Sequence, residues 1–296
     1  MRILFVTSNR IGDAVLSTGL LDHLIRTYPA CRITVACGTV AEGVFARMPN
    51  RERTILLEKR SYGRHWLPLW AACVGTHWDL VVDIRSFALA WLVRARRRAV
   101  RHRVPGHKTV QLAAVLGLDP PPLPVAWCNA ADRAVAAGLL PTDRKLIALG
   151  PTANWTGKLW PPERFAALFH TLTEGPLAGA RAVVLAGPGD YERNLAAPLL
   201  AALPDAIDLA GRLSLPEAVA VLERAALFVG NDSGLMHLAA AAGTPTIGLF
   251  GPTPADEYGP AGRCACAVRS PSDRMADITV DAVRRAIIAL LDRLPA

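Results

Sequence analysis

Three stretches of this sequence place polar side chains beside turn residues in patterns that suit chemistry. The densest is Gly230–Gly251, GNDSGLMHLAAAAGTPTIGLFG, where Asp232, Ser233, Gly234 and His237 gather at a helix start. Free backbone N–H groups and the helix dipole there would hold an anion, most often a phosphate. The same residues also have plainer uses, Asp232 or Ser233 as an N-cap and His237 as a core histidine. The second stretch is RIGDAVL, Arg10–Leu16, with Asp13 at the mouth of a strand–helix turn and Gly12 keeping the approach open. A carboxylate in that position can take a proton from a substrate hydroxyl, or it can cap the helix. The third is PTANWTGKLWP, Pro151–Pro161. The Lys158 ammonium beside a diphosphate would offset charge that grows as a leaving group departs. As an alternative, Lys158 is an exposed lysine, with Trp155 and Trp160 packed on their own loop.

Alternating strands and helices must position these residues. Ile3–Thr7 reads as a buried strand, and Asp13 opens a helix that Pro29 stops after Tyr28. Arg32–Ala36, Thr54–Leu57 and Leu80–Ile84 read as further strands. Glu42–Met48, Tyr62–Gly75, with its unusual aromatics, and Phe87–Arg98 read as helices. RARRRAVRHR, Arg94–Arg103, is the densest charge run. It is either a solvated helix end whose cations complement the dipole, or a contact through Arg96, Arg97 and Arg98 for a phosphorylated acceptor or an anionic membrane. DPPPLP, Asp119–Pro124, is the clearest break. A helix over Ala130–Leu139 follows, so the expected boundary is near Pro141, with domains 1–141 and 142–296. The second half repeats the alternation. It has strands at Lys145–Leu149, Arg181–Ala186, Ile207–Leu209, Leu227–Val229 and Thr246–Phe250. Its helices start at Pro161-Pro162, after Gly187-Pro188-Gly189, and at Ser214, where Glu217 completes a capping box. A last helix over Val280–Leu294 belongs to the second domain or packs back on the first. This order predicts an α/β chain of two doubly wound parallel sheets facing across a cleft.

Net charge is +8 in 296 residues, which favours acidic partners such as nucleic acid, anionic lipid or a phosphorylated glycan. The six cysteines show no CxxC or zinc spacing, as expected of reduced thiols in a cytosol. The N-terminal apolar run is too short for a signal peptide, and no stretch reaches the length of a membrane span. No DxD motif supplies carboxylates for a divalent ion. Neither GxGxxG nor GxxxxGK[ST] is present, which counts against dinucleotide oxidoreductases and P-loop NTPases.

The ordered motifs resemble those of glycosyltransferase family 9, the bacterial heptosyltransferases. IGDAVLSTGLL is similar to the family's opening GD motif, with Gly19 where many members have proline. NWTGKLWPPERF is similar to its lysine loop, VVLAGPGDYE to its glycine turn, LAGRLSLPEAVAVLERA to its base-pocket segment and GNDSGLMHLAAAAGTPTIGLFGPT to its nucleotide-sugar motif. The tail MADITVDAVRRAI resembles the family's end, preceded by a shortened loop CACAVRSPSD. The resemblance implies the GT-B arrangement of two Rossmann-like domains, acceptor on the first and nucleotide-sugar on the second. It implies Asp13 as catalytic base and Lys158, with Asn154, at the donor phosphates. It places Asp190, with Glu192 as rival, near the donor ribose or sugar, Leu213 at the base, and Asp232, Ser233, Gly234 and His237 at the donor turn. Donor and acceptor would be ADP-heptose and lipopolysaccharide inner core, joined with inversion and without cofactor or metal. The protein would be cytoplasmic, in contact with the inner membrane surface, and would take no nucleic acid. The competing expectations are a non-catalytic binder of anionic glycolipid or nucleic acid, and a GT-B nucleotide-sugar epimerase.

Overall fold

Apolar runs too short for buried helices pair into two parallel sheets in the computed structural model, which describes residues 1–58, 66–85 and 88–294. The chain divides into Met1–Trp127 and Cys128–Ala296. In the first unit, β1 (Arg2–Val6) is buried from Ile3 onward and leads into α1 (Ile11–Thr27). Then come β2 (Arg32–Cys37), a 3-10 segment over Thr39–Phe45, β3 (Arg51–Leu56) and α2 (Trp66–Val74). β4 (Trp78–Asp83), α3 (Leu89–Leu92), β5 (Ala95–Val100) and α4 (Lys108–Ala113) complete it. The strands run in the order β3-β2-β1-β4-β5, all parallel. The chain winds outward from β1 to β3 and then returns to lay β4 on the free side of β1. The connections after β1 and β4 therefore diverge, and their carboxyl ends flank a crevice where α/β sheets bind ligands.

The second unit repeats this plan. It runs α5 (Ala130–Leu139), β6 (Leu146–Gly150), α6 (Pro162–Thr173), β7 (Arg181–Val184), α7 (Asp190–Ala202) and β8 (Ile207–Asp208). It continues with α8 (Leu215–Glu223), β9 (Leu227–Asn231), α9 (Gly234–Ala241), β10 (Thr246–Phe250) and α10 (Ala255–Tyr258). β11 (Ala265–Arg269) and α11 (Val280–Leu291) end it. The order β11-β10-β9-β6-β7-β8 puts the divergence between β6 and β9. Gly248 lets α9 press on the sheet, because a Cβ there would lie 2.3 Å from Met236 Sδ. Each sheet with its alternating helices is a Rossmann-like, doubly wound domain.

Several expectations change. The helix expected over Phe87–Arg98 is the single turn α3 followed by edge strand β5, with Arg97 beside Leu80 and Arg98 beside Val81 of β4. Alanine and arginine are good helix formers, but propensity is a weak force beside tertiary context, and pairing with β4 overrides it. The starts of the helices expected from Tyr62 and Phe87 lie outside the described residues. The chain divides at Trp127 rather than near Pro141 because α5 packs on α8. There Arg133 makes a two-pronged bond with Glu223 at 2.8 and 3.0 Å, and Arg224 donates to Pro141 O at 2.8 Å. The proline-rich segment stays with the first unit, where Val125 N donates to Thr18 Oγ1 at 2.9 Å. Gly19 accommodates this crossing, since a Cβ there would stand 2.6 Å from Pro122 O. CACAVRSPSD, expected as a loop, supplies β11. The last helix packs on α6 in the second unit's own core through Val283, Ile287 and Leu290.

Candidate active site

In the first unit the divergence after β1 brings Asp13 forward. The turn is held by Arg10 N donating to Ser8 Oγ at 3.2 Å, and Ser8 Oγ donates to Asp13 Oδ2 at 3.3 Å. α1 begins at Ile11 with Arg10 in the capping position, so Asp13 sits in the third helical position and does not cap. The first-turn dipole favours its negative charge. The next turn is anchored by fully buried Ala14 and Val15 and by the Thr7–Ser17 hydroxyl contact at 3.0 Å. A half-buried carboxylate on a fixed helix start is well placed to accept a proton.

Sequence reasoning passed over Arg85, at the carboxyl end of β4. Its Nη1 donates to Asn9 Oδ1 at 2.5 Å, its backbone N–H donates to Asp83 Oδ1 at 3.0 Å, and its guanidinium lies 5.3 Å from the Trp66 ring. Burial lowers its pKa, against the opposing pull of Asp83. The signal was the polar pair Asp83 and Arg85 directly after an apolar strand. Arg96, Arg97 and Arg98 stand elsewhere. Arg96 and Arg97 join Met1, Tyr28 and Asp79 around a pocket at the amino end of the sheet, and Arg97 Nη2 donates to Tyr28 OH at 3.2 Å. Arg98 turns to α3 and donates to Ala90 O and Val93 O at 2.7 and 3.2 Å. The structure does not bring these arginines to Asp13, which stands at the carboxyl end of β1.

In the second unit, the loop after β6 meets the turn after β9. Lys158 Nζ lies 2.5 Å from Asp232 Oδ2, the two side chains being 17 % and 8 % exposed. Lys158 is therefore a held cation rather than a free surface lysine. Asn231, which looked like turn punctuation, holds the loop. Its Nδ2 donates to Pro151 O at 2.7 Å, and its Oδ1 accepts from Trp160 N at 3.0 Å. Trp160 is locked in the core, donating from Nε1 to Ile278 O at 2.9 Å and meeting Phe165 edge to face. Trp155 is exposed and lies over Gly157, where a Cβ would come 1.9 Å from its ring. Asn154, on the same loop, is exposed. Asn231→Ala would leave the Trp160 N–H and the Pro151 carbonyl without partners, at roughly 1–3 kcal/mol each. The expected result is a clear fall in Tm, and a melt superimposed on the parent's would remove Asn231 from this role.

Ser233 takes the capping position of α9 but makes no capping bond, and its buried hydroxyl has no partner among the described residues. Gly234 starts the helix, and buried His237 follows one turn later. Beyond β7, Gly189 adopts a φ of 99° and starts α7. Asp190 is exposed, whereas Glu192 folds back so that its Oε2 accepts from Gly187 N at 3.2 Å. Of the two acids, Glu192 is the one fixed on the glycine turn. Gly211 N donates to Ala186 O at 3.1 Å, which sets the segment leading to half-buried Leu213 beside that turn. The capping box of Ser214 and Glu217 starts α8 as expected. The carboxyl ends of β9, β6, β7 and β8 thus carry, in spatial order, the start of α9, the lysine loop, the glycine turn and the Leu213 segment. A cation, a buried unpartnered hydroxyl and a helix start together suit a phosphate-bearing ligand.

The chain is similar to several known proteins. A lipopolysaccharide heptosyltransferase 3 of Escherichia coli is 30 % identical over 286 residues, covering 82 % of this chain and 81 % of that protein. A glycosyl transferase family 9 protein from Veillonella parvula superposes with a TM-score of 0.82 at 21 % identity, covering 99 % and 97 % of the two chains. The E. coli ADP-heptose lps heptosyltransferase II superposes at 0.77 with 22 % identity, covering 99 % of each. The model of glycosyltransferase family 9 (heptosyltransferase) matches residues 73–284, a span that holds the lysine loop, the glycine turn and the start of α9. This chain therefore belongs to glycosyltransferase family 9.

Proposed function

We propose that this glycosyltransferase moves a heptose from ADP-heptose to a lipopolysaccharide-core type of acceptor, in one displacement that inverts the anomeric centre. The observation that carries this reading is the Lys158 ammonium held against the start of α9, at the divergence of β6 and β9. The donor class follows from the relatives, whose names specify heptosyl transfer and, for one solved structure, ADP-heptose. On this proposal Asp13 takes the proton of the acceptor hydroxyl as its oxygen bonds to the anomeric carbon. The bond from that carbon to the diphosphate oxygen breaks, and ADP leaves with the electron pair. Lys158 and the α9 amides take up the charge that develops on the diphosphate. Ser233 would donate to a phosphate oxygen, His237 and Gly234 shape that turn, and Asn154 borders it. Glu192 or Asp190 meets the ribose or sugar hydroxyls, and Leu213 lines the base. Arg96 and Arg97 are assigned to the anionic surface that carries the acceptor, and the enzyme would work on the inner face of the membrane.

Metal independence belongs to the same proposal. Among the described residues no group of three His, Cys, Asp or Glu is placed to hold an ion, and Lys158 supplies the positive charge a metal would otherwise bring. Transfer from ADP-heptose to a core oligosaccharide is expected to proceed in excess EDTA with inverted product stereochemistry. Loss of activity on chelation, restored by magnesium or manganese, would overturn metal independence. Epimerised nucleotide-sugar formed without acceptor would overturn the transferase assignment.

A further inference from the structure

Helices α2 and α3 cover one face of the first sheet, and their inward residues Leu69, Cys73, Leu89 and Ala90 belong to its core. Their outward residues are apolar as well. Leu67 is 67 % exposed, Trp70 40 %, Trp91 60 % and Leu92 62 %. Leu67 and Trp70 share one side of α2 at i,i+3 spacing. Trp70 Nε1 donates to Leu92 O at 3.0 Å, which joins the outward sides of the two helices into one patch. Contiguous apolar patches of this kind mark interaction sites.

The patch itself carries no acid, since α2, WLPLWAACV, and α3, LAWL, are uncharged, and three arginines stand beside it. The Arg98 guanidinium lies 5.4 Å from the Trp91 ring while its donors hold the α3 carbonyls. Arg94 follows α3 and is exposed. Arg53 reaches from β3 to donate to Ala72 O at 2.8 Å, near the end of α2.

We infer that this face docks on an anionic lipid bilayer, with Leu67, Trp70, Trp91 and Leu92 at the headgroup–acyl boundary and the arginines on headgroup phosphates. Tryptophan is favoured at that boundary. Each cation near an anionic bilayer raises affinity about fivefold. A nucleic acid would satisfy the arginines but leave Leu67 and Leu92 in water. A second copy would set one arginine-rich surface against another, which is repulsive. The docking deepens the membrane-surface part of the proposed function and rests on it for the acceptor's location only. Vesicle binding is measured without any sugar.

The test is sedimentation of the full chain with extruded vesicles of phosphatidylcholine alone or mixed equally with phosphatidylglycerol. Binding to the mixed vesicles, weak binding to phosphatidylcholine alone and loss with added salt are expected. Trp91→Ser combined with Leu92→Ser should lower the partition coefficient roughly tenfold, and Arg94→Ser about fivefold. Both variants should transfer heptose to a delipidated core oligosaccharide at the parent rate, since none of these residues is assigned to the donor or the reacting hydroxyl. If the paired variant is not folded by circular dichroism, Leu67→Ser and Arg94→Ser carry the test. Equal binding to both vesicle types, or variants that bind like the parent, would overturn the inference. So would a paired variant that loses self-association or RNA binding while vesicle binding persists, because the face would then belong to another partner. A parent protein that binds vesicles but transfers no heptose would overturn the substrate assignment instead.

Discussion

Asp13→Asn is expected to slow glycosyl transfer by roughly 10²–10⁴-fold, the usual worth of a positioned general base, while leaving the fold and donor binding nearly intact. A sugar hydroxyl attacks poorly until its proton is taken during the attack, and an amide cannot take it at neutral pH. The substitution is structurally mild. Asp13 lies in the third position of α1, with one 3.3 Å contact from Ser8 and no capping bond to lose. It does remove a negative charge from the first turn, a surface dipole effect of about 0.3–1 kcal/mol. The residues assigned to the donor lie in the second unit, so nucleotide affinity is measured separately, by calorimetry with ADP. A near-parent transfer rate would leave Asp13 as a helix-start residue and send the search for the base elsewhere. A large fall in Tm beside the lost activity would assign the effect to folding, and Asp13→Glu, which keeps the carboxylate, would then decide whether a base at this point restores rate.

The position of Asp13 at the start of α1 was legible because its surroundings are local. A buried strand, a short turn and a helix follow one another within a few residues, and each has its own sequence pattern. The same holds for the strands around β6, β9 and β10 and for the capping box at Ser214, where residues three apart complete one another. Contacts made by sheet order were not legible. Lys158 and Asp232 are far apart along the chain and meet only because β9 lies beside β6. The motifs place each of them at the donor, but nothing in the sequence marks their pairing. Asn231 looked like the end of a strand because its partners, Pro151 O and Trp160 N, come from another connection. The arginine run was misread for the opposite reason. Local propensity allowed a helix, and only the free edge of β4 makes a strand the better solution, with Arg96 and Arg97 exposed and Arg98 turned to α3. The boundary near Pro141 comes from leaving the helix over Ala130–Leu139 with the first half, whereas the contact of α5 with α8 gives that helix to the second unit and sets the division at Trp127.

Lys158→Met is expected to lower transfer by roughly 10²–10³-fold, the loss found when one preorganised group facing developing charge is removed, and to weaken ADP binding. Part of the damage will be structural. Asp232 is 8 % exposed and would lose the partner of its carboxylate. For a fully buried pair that costs about 3–5 kcal/mol, and the 17 % exposure of Lys158 places this pair below that figure. The double variant Lys158→Met with Asp232→Asn separates the two effects. Removing both charges takes away the uncompensated carboxylate, so Tm should recover toward the parent value. Transfer should stay low, because the cation proposed to face the departing diphosphate is still missing. Asp232→Asn alone keeps that cation and loses only the group that holds it, so its transfer defect should be the smaller one. If transfer recovers together with Tm in the double variant, Lys158 and Asp232 form a structural pair only. The charge on the leaving diphosphate must then be met by the amides of α9 alone.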